Sequence, residues 1–421
     1  MSSGRPRVVI VGAGFGGLHA AKALAKTEVD VVLLDRNNYH LFQPLLYQVA
    51  VAALPPAEIA YPVRPIVRRI ENVAFRVAEV TGCDLARKVV ITDRGEVPYD
   101  ALVVAAGAAT NDFGLPGIAE HAFDLKSLPD ALRLRNHVLR CFERAVASGS
   151  ADERRALLTI VVAGGGPTGV EVAGAASELL RRVLGRDYPA LSRDEIAVHL
   201  LEAGPRVLAA FPTDLAEAAA KALARIEVVV ETGVKVAGYD GASVRLAGGR
   251  TIPARTLVWA AGVAAAPLAS MLGLPARGGG RIVVEPTLEV AGQPGVFVIG
   301  DAAYLEAGGA AVPMLAPPAI QMGACAAGNV RRRLRGEPLV PFRYRDPGTL
   351  ATIGRSAAVA SIRGFHLRGF PAWIVWLFVH LMQLVGFRNR VVVFVDWAWQ
   401  YLLYRPASPI ILEAAPRPRS D

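Results

Sequence analysis

The stretches VVIVGAGFGGL (residues 8–18) and TIVVAGGGPTGVEVAGA (residues 159–175) decide the fold of this 421-residue chain. Each contains glycines in the spacing G-x-G-x-x-G, follows a run of apolar and mostly β-branched residues, and leads into a segment of small residues that is typical of a helix. The six glycines are Gly12, Gly14, Gly17, Gly164, Gly166 and Gly169. One such loop is weak evidence, but two in the order strand, turn and helix predict that one chain holds two dinucleotides.

Each glycine of this spacing has a physical role. The first permits a tight turn, the second lets the backbone approach a pyrophosphate, and the third lets the helix pack against the strand. The N–H groups and the positive dipole end of the helix then face the phosphates. Two such sites favour a flavoenzyme that takes hydride from a nicotinamide, since hydride transfer needs both cofactors to be held close together.

An acidic residue is expected at the end of the strand that follows each loop, where it accepts hydrogen bonds from a ribose. Asp35 occupies this place after the first loop, and Glu202 occupies it after the second. Glu202 comes later than usual because DYPALSRDE (residues 187–195) is inserted before its strand. A carboxylate repels a 2′-phosphate, so Glu202 favours NADH over NADPH.

The composition is more hydrophobic than is usual for a freely soluble protein, which suggests a membrane-binding segment. The chain is 53% hydrophobic, has a mean hydropathy of +0.36, and carries a formal net charge of +9. No platform of basic and aromatic residues is present, so we expect no nucleic-acid partner. Cys83, Cys141 and Cys325 are scattered without a C-x-x-C pair, which predicts neither a disulfide nor a metal site and excludes the dithiol flavoenzymes.

The order of elements predicts an α/β fold with two Rossmann-like dinucleotide-binding domains, the first interrupted by the second. GVFVIGDAAYL (residues 295–305) is typical of a strand ending at Gly300 and Asp301 that completes the first domain. The expected domains are an FAD-binding domain at residues 1–120 and 280–340, an NADH-binding domain at 121–279, and a membrane-associated C-terminal region at 341–421.

The C-terminal tail contains the two most apolar windows, FPAWIVWLFVHLMQLVGF (residues 370–387) and RVVVFVDWAWQYLLYRP (residues 390–406). Each has an apolar core of about 14 residues, whereas spanning a bilayer takes roughly 20. Polar residues interrupt the windows at His380, Gln383, Asp396 and Gln400. Candidate interfacial aromatics are Trp373, Trp376, Trp397, Trp399, Tyr401 and Tyr404, and flanking cations are Arg363, Arg368, Arg388, Arg390 and Arg405. The pattern predicts a monotopic anchor on an anionic membrane surface; the alternative is a buried helix pair or a dimer face.

The chain resembles the two-dinucleotide-binding-domain flavoproteins, and among them the type II NADH:quinone oxidoreductases, which are single-subunit and do not pump protons. The first loop, YHLFQPLLYQVA (residues 39–50), GGGPTGVEVAGA (164–175), GVFVIGDAA (295–303), APPAIQ (316–321) and the tail carry the resemblance over nearly the whole chain. The glycine loops are shared with many reductases, whereas FQPLLYQVA with GGGPTGVE and the tail is far more specific.

The resemblance implies a set of site residues. Those for FAD are Gly12, Gly14, Gly17, Asp35, Pro44, Leu45, Gln48, Val80, Gly107, Gly300 and Asp301. Those for NADH, the substrate, are Gly164, Gly166, Gly169, Glu171, Glu202, Ala261 and Gly262. Those for the quinone are Ala316, Ala319 and Gln321, and no metal is expected. Glu171 near the nicotinamide and Gln321 near a quinone carbonyl are the candidate catalytic residues.

Several of these residues have a structural alternative. The family often has A-Q-x-A-x-Q where this chain has Ala316 to Gln321, and Pro317 replaces the first glutamine. Gln321 could instead satisfy backbone groups at the helix start, and Glu171 could interact only with the helix dipole. His380 lies in an apolar run and is interpreted as a packing or membrane-interface residue rather than a quinone ligand.

The resemblance implies that the enzyme passes hydride from NADH to FAD and two electrons on to a membrane quinone. Further expectations are a homodimer contact near the tail and a location on the cytoplasmic face of the inner membrane, because the first strand begins too early to leave room for a signal peptide. The alternatives are a reductase with a protein acceptor, a sulfide:quinone oxidoreductase, which needs redox cysteines, and an NADH-sensing binding module similar to apoptosis-inducing factor.

Overall fold

The computed structural model describes residues 4–184, 187–403 and 410–411, and the side chains of residues 182–184 and 400–403 are not described. The described residues form two compact units. Unit 1 comprises Met1–Leu41, Tyr61–Asn111 and Val263–Pro347, and unit 2 comprises Phe42–Ala60, Asp112–Gly262 and Gly348–Asp421. In this division the tail belongs to unit 2, and so does the FQPLLYQVA segment, whose predicted place is in the flavin domain.

Unit 1 is an α/β unit. Its strands are β1 (Arg7–Val11), β2 (Asp30–Asp35), β3 (Tyr39–Leu41), β5 (Val73–Val77), β6 (Val80–Asp84), β7 (Val89–Thr92), β8 (Gly95–Pro98), β9 (Ala101–Val104), β10 (Ala108–Thr110), β18 (Val263–Ala265), β19 (Ala276–Arg277), β20 (Arg281–Val283), β21 (Glu289–Val290), β22 (Gln293–Val298), β23 (Ala303–Tyr304), β24 (Glu306–Ala307) and β25 (Ala310–Ala311), with β4 (Ala60–Pro62) at the boundary. Its helices are α1 (Phe15–Ala23), α4 (Val63–Val67), α10 (Pro267–Met271) and α11 (Ala316–Leu334).

The main sheet of unit 1 has the order β21-β22-β9-β1-β2-β5. Strand β22 pairs in parallel with β9, with Val298 opposite Val104, so the late segment does complete the first sheet. Helices α1 and α11 pack closely where they cross. A Cβ on Gly323 would lie only 2.3 Å from the carbonyl oxygen of Gly16, so this approach requires glycine at 323. The buried face of the sheet is almost entirely valine, isoleucine and leucine, as expected for parallel strands covered by helices.

Unit 2 repeats the plan and adds the tail. Its strands are β11 (Thr159–Ala163), β12 (Ala197–Glu202), β13 (Val228–Thr232), β14 (Val236–Tyr239), β15 (Ser243–Leu246), β16 (Thr251–Pro253), β17 (Thr256–Trp259), β26 (Thr349–Thr352), β27 (Ala358–Ile362) and β28 (Phe365–Gly369). Its helices are α2 (Leu46–Ala50), α3 (Pro56–Ile59), α5 (Ile118–His121), α6 (Leu128–Ala147), α7 (Ala151–Leu158), α8 (Pro167–Glu178), a π-helical turn at Leu179–Leu184, α9 (Thr213–Arg225), α12 (Phe370–Gln383) and α13 (Phe387–Leu403).

The parallel sheet of unit 2 has the order β13-β12-β11-β17. Helix α6 begins with a reciprocal capping box between Ser127 and Asp130. Helix α8 lies against the turn that follows β26, since a Cβ on Gly174 would be 2.8 Å from the amide nitrogen of Gly354. The α/β fold with two dinucleotide-binding halves is therefore confirmed. Among the described residues, no helix combines the length and hydropathy that crossing a membrane requires.

Candidate active site

The first loop has the geometry of a phosphate cradle. Gly12 has φ +101°, and a Cβ there would lie 2.3 Å from the carbonyl oxygen of Ala105. A Cβ on Gly17 would lie 1.8 Å from the carbonyl oxygen of Gly12, which explains the close approach of α1 to β1. Around Gly14 there is no protein atom within 4 Å of a Cβ, and no side chain caps α1. The open space and the uncapped amides fit a pyrophosphate.

The second loop reproduces this cradle. Gly164 has φ +107°, and a Cβ there would lie 2.6 Å from the carbonyl of Ala260. The Cβ position of Gly169 is 1.8 Å from the carbonyl oxygen of Gly164, whereas Gly166 faces open space. Gly166 caps α8 without a side-chain hydrogen bond, and Pro167 is the first residue of that helix. The second loop therefore fits a second dinucleotide.

Both acidic residues are clamped by two backbone amides. Asp35 accepts one hydrogen bond from Ala13 N (2.7 Å) and one from Asn37 N (2.7 Å). Glu202 accepts the equivalent pair from Gly165 N (2.6 Å) and Gly204 N (2.6 Å). Burial raises the pKa of Asp35, while the two amides oppose that rise. Each carboxylate is thus fixed beside its loop, with lone pairs left to accept from ribose hydroxyls.

In each loop, the length of the acidic side chain is related to the size of the residue that follows the first glycine: the longer acid faces the smaller residue. Glu202 is one methylene longer than Asp35, and a Cβ on Gly165 would lie 2.9 Å from Glu202 Oε2. Beside the shorter Asp35, the first loop accommodates the methyl group of Ala13, which is buried. The second loop has glycine at 165 because the longer acid occupies that space.

Gly165→Ala is expected to raise the Michaelis constant for NADH about tenfold, because the new methyl group displaces the Glu202 carboxylate from its charge-assisted hydrogen bond. Steady-state kinetics with NADH measure the effect. The second-site change Glu202→Asp should recover part of the loss, since it recreates the Ala13–Asp35 pairing of the first loop. An unchanged constant in Gly165→Ala would mean that the carboxylate is not held in this place.

The other predicted flavin residues of unit 1 lie at the ends of its strands. Gly107 follows β9 with φ +74° and open space at its Cβ position, Val80 begins β6, and Gly300 with Asp301 follows β22. Gly300 N donates a hydrogen bond to Met322 Sδ (3.2 Å), which ties this turn to α11. The placement of Gly107, Gly300 and Asp301 after parallel strands of the main sheet agrees with a flavin site, and the individual roles of all four residues stay predictions.

Two residues beside this edge had not been singled out from the sequence. Arg281 is buried, donates to the carbonyl oxygens of Ala303 and Val312 (2.8 Å each), and has its pKa lowered by burial, an effect that the charge of Asp301 opposes. His40 Nδ1 lies 2.9 Å from the carbonyl oxygen of Ala13, and burial lowers the pKa of His40 to about 4. His40 therefore braces the first loop as a neutral imidazole. Its place in YHLFQP was the available signal.

The predicted quinone motif opens α11. Ala316 is its first residue, and Ala319 is buried, with its Cβ 3.2 Å from the Cβ position of Gly300. Gln321 binds the backbone of Arg345 at both ends of its amide, donating to the carbonyl oxygen (2.8 Å) and accepting from the N–H (3.0 Å). This contact supports the structural alternative for Gln321, so its role toward quinone stays a prediction with a competing explanation.

The FQPLLYQVA segment lies in unit 2 and contacts the tail. Pro44 and Leu45 form a short 3₁₀ turn before α2. Gln48 is buried, donates to Tyr47 Oη (3.0 Å), and accepts from Trp397 Nε1 of α13 (2.8 Å). Both ends of the Gln48 amide are therefore occupied by protein groups, and Gln48 links α2 to the tail.

Glu171 is the most strongly perturbed acid of the site. Its carboxyl group lies in the second turn of α8, and burial raises its pKa to about 8. A hydrogen bond from Thr352 N (3.4 Å) opposes this rise, and so does the neighbouring side chain of Trp376. The charge of Glu171 in turn contributes to the raised pKa of Tyr47. A carboxyl group with this pKa holds a proton at neutral pH and can release it, which a helix-dipole contact alone does not explain.

The tail helices contribute aromatic side chains beside Glu171. Trp376 is fully buried, stacks on His380 (ring centroids 4.1 Å apart), and lies 5.8 Å from the ring of Trp397. The prediction that Trp376 is an interfacial aromatic is therefore wrong, because its side chain belongs to the core beside Glu171. His380 bonds the carbonyl oxygen of Trp376 through Nδ1 (2.8 Å), and burial lowers its pKa to about 4, which agrees with a packing role.

The outer faces of the tail helices are apolar. Exposed side chains at spacings of three or four residues form a surface that we call the tail stripe: Phe370, Ile374, Phe378 and Met382 on α12, and Phe387, Val391, Phe394, Val395 and Trp399 on α13. Arg363, Arg368 and Arg388 are exposed nearby, whereas Arg390 donates to the carbonyl oxygen of Leu384. Tyr404 and Arg405 lie outside the described residues, as do the side chains of Gln400 and Tyr401. The stripe matches the predicted anchor pattern.

The remaining residues considered from the sequence are two that follow β17 and the three cysteines. Ala261 and Gly262 follow β17, directly beside the Gly164 turn, where the Cα of Ala261 would be 2.7 Å from a Cβ on Gly164. Cys83, Cys141 and Cys325 are free thiols. Burial raises the pKa of each, which makes them poor nucleophiles and gives no support to sulfide chemistry.

Comparison with known proteins shows which families this chain matches. Residues 6–323 match the family of pyridine nucleotide-disulphide oxidoreductases, and residues 347–406 match the NDH2 C-terminal domain. The type II NADH:quinone oxidoreductase NdhA of Mycobacterium tuberculosis is 40% identical over 416 residues, which cover 95% of this chain and 88% of that protein. The type II NADH:quinone oxidoreductase of Staphylococcus aureus strain NCTC 8325 is 31% identical over 383 residues, 88% of this chain and 93% of that protein.

Solved structures show the same fold. NDH2 from Plasmodium falciparum in complex with NADH superimposes with a TM-score of 0.88 at 20% identity, covering 96% of this chain and 100% of that one. The sulfide:quinone oxidoreductase of Aquifex aeolicus superimposes with a TM-score of 0.72 at 17% identity, covering 95% and 96% of the two chains. At these identities the likeness concerns the fold alone.

Proposed function

Because the chain belongs to the type II NADH:quinone oxidoreductases, flavin-dependent NADH dehydrogenases, we propose that it delivers the electrons of NADH to a quinone dissolved in the membrane and pumps no protons. We propose further that the enzyme works as a homodimer on the cytoplasmic face of the inner membrane, held there by the tail stripe and its arginines. The observation that carries the proposal is the double role of the tail helices.

Helices α12 and α13 present apolar residues outward and reach the buried polar site with their inner faces. Trp376 of α12 lies beside Glu171, and Trp397 of α13 donates to Gln48. A lipophilic acceptor that enters from the bilayer would therefore meet the same helices that surround Glu171. A soluble protein acceptor would not require an apolar outer face on the helices that reach the buried site. The arrangement therefore favours a quinone as the acceptor.

The cofactor and the substrate fit the two loops. FAD would be held by the first loop, Asp35 and the turn at Gly300, and NADH would be held by the second loop and Glu202. When bound, FAD accepts a hydride from NADH and returns two electrons to an acceptor. The protein supplies the uncapped helix starts for the phosphates and the clamped carboxylates for the riboses.

Glu171 supplies a proton for the second half of the reaction. Reduction of a quinone to a quinol takes up two electrons and two protons. The hydride from NADH brings the two electrons and one of the protons, so a nearby protonated group is needed for the other. Glu171, with a pKa of about 8, holds one proton at neutral pH beside the buried side chain of Trp376. Thr352 N and Trp376 stabilise the carboxylate that remains after the proton leaves, which lets Glu171 act as a general acid.

The first test is NADH oxidation by the detergent-solubilised holoenzyme while the flavin absorbance is followed. Bleaching by NADH and rapid recovery on addition of a short-chain quinone are the expected results. Bleaching without recovery by quinone would contradict the proposed acceptor and would transfer the second half of the reaction to a protein acceptor or to a sensing role. The NADH and FAD sites would be unaffected by that outcome.

Changing Glu202 to Arg is expected to reverse the preference for NADH over NADPH, because a guanidinium attracts the 2′-phosphate that the carboxylate repels. The ratio of kcat/KM for NADH to that for NADPH measures the preference, and we expect a change of at least tenfold. Glu217→Arg, at an exposed position of α9, serves as the charge-matched control. A ratio equal to the wild-type value would show that another group sets the selectivity.

A further inference from the structure

The strand order of unit 2 determines toward which strand each half of a dinucleotide bound to the second loop extends. Glu202 ends β12, which lies on one side of β11, and Ala261 follows β17, which lies on the other side. An acid in the position of Glu202 takes the adenosine ribose, and the start of α8 takes the pyrophosphate. The nicotinamide half of NADH therefore extends across the carboxyl end of β17.

An exposed aromatic side chain stands at this end of β17. Phe113 packs edge-on against Trp259, the last residue of β17, with ring centroids 6.4 Å apart. The structure describes all the phenylalanines before residue 365, and Phe113 alone among them is exposed, at 60%. Its ring thus lies beside the last residue of β17, at the strand end toward which the nicotinamide half extends.

The backbone holds Phe113 in an unfavourable conformation. Its φ is +54°, in the left-handed region that a bulky side chain rarely adopts. The turn is fixed by Asp112, whose side chain accepts from Gly114 N (2.9 Å) and whose carbonyl oxygen accepts from Leu115 N (3.1 Å). Glycine or asparagine would suit this conformation better, so the phenylalanine ring is present at a cost in backbone energy.

We propose that Phe113 binds the nicotinamide riboside half of NADH through its ring and sets the affinity for that half. The inference rests on the NADH site assigned to the second loop. A flat, amphipathic ring system such as nicotinamide is the ligand that an exposed aromatic side chain binds well, by offset stacking or edge contact. Phe113 is thus a specificity-determining residue that acts on the nicotinamide and not on the adenosine.

The test compares two ligands that differ by the nicotinamide. Titration calorimetry of the detergent-solubilised holoenzyme gives dissociation constants for NAD⁺ and for ADP-ribose, which lacks the nicotinamide. Phe113→Asn is expected to weaken NAD⁺ binding about fivefold to tenfold and to leave ADP-ribose binding unchanged. Its melting temperature should equal or exceed that of the wild type, because asparagine tolerates the left-handed backbone. Phe113→Tyr, which keeps the ring, should restore NAD⁺ binding.

Two results would overturn the role of Phe113, and a third would overturn the NADH assignment on which it rests. Equal weakening of both ligands would place Phe113 at the adenosine half or in the fold, and unchanged binding of both would remove it from the site. Wild-type holoenzyme that binds neither ligand would instead reject the NADH assignment of the second loop, which separates the failure of that assignment from a failure of the role of Phe113.

Discussion

Glu171→Gln is expected to lower the rate of quinone reduction about a hundredfold, in the range that loss of a general acid costs. Glutamine keeps the size and can keep the contact with Thr352 N, but it has no proton to donate. Stopped-flow spectroscopy separates the two half-reactions. We expect NADH to reduce the flavin at a rate close to that of the wild type, while reoxidation by quinone slows.

The two roles considered for Glu171 give opposite results in this experiment. A role near the nicotinamide, as the family resemblance implies, predicts that flavin reduction slows. Proton donation to quinone predicts that reoxidation slows. Glu217→Gln on the exposed face of α9 is the control for loss of a carboxylate elsewhere. Wild-type rates in both half-reactions of Glu171→Gln would reject a catalytic role of either kind.

The raised pKa of Glu171 also predicts two pH dependences. Quinone reduction should fall as the pH rises through about 8, because the proton is then lost. Stability should also decline, since the folded chain binds this proton more tightly than the unfolded chain does. That decline begins above the ordinary value of 4.5 and ends above about 8, and Glu171→Gln should remove it. Melting temperatures across this range measure the effect.

Replacing Phe378, Phe387 and Phe394 together by Ser is expected to lower the affinity of the enzyme for anionic lipid vesicles at least a hundredfold. These side chains are among the most exposed of the tail stripe, and transfer of each ring from water to lipid contributes roughly 1.5–3 kcal/mol. Cosedimentation with vesicles measures binding. Turnover of a long-chain quinone in the vesicles should fall with it, whereas turnover of a short-chain, water-soluble quinone should persist.

A matched triple variant tests whether position matters. Val146, Val229 and Met271 are exposed apolar residues outside the tail, and their replacement by Ser should leave vesicle binding unchanged. Unaltered cosedimentation of the tail-stripe variant would contradict the anchor. A change in oligomeric state without loss of vesicle binding would assign the stripe to a dimer face. Point variants are preferable to truncation, because deleting the tail would also remove buried Trp376 and the bond from Trp397 to Gln48.

The parts of this structure that the sequence predicted are those determined by local chemistry. A glycine with positive φ, a helix that must approach a strand, and an acid at a strand end are each recognisable from neighbouring residues. Gly12, Gly164, Asp35 and Glu202 are therefore in the expected places. The return of β22 to the first sheet was also predictable, since it repeats the strand-and-glycine pattern of the sheet that it joins.

The contacts of the tail could not be predicted in this way. Gln48 and Trp397 are 349 residues apart in the chain, and nothing in either neighbourhood specifies the other. The tail helices are apolar on most of their faces, so the sequence pattern does not show which tryptophan points inward. Trp376 was for this reason assigned to the membrane interface when it lies beside Glu171. Gln321 presents the same difficulty, because its partner Arg345 lies in a segment without regular structure.

The space shared by Gly165 and Glu202 couples these two positions in any redesign of the coenzyme preference. A methyl group at 165 crowds the carboxylate of a glutamate at 202, so the effects of substitutions at the two positions are not additive. A path that introduces alanine at 165 first passes through a crowded intermediate. A path that first shortens the acid at 202 avoids that crowding.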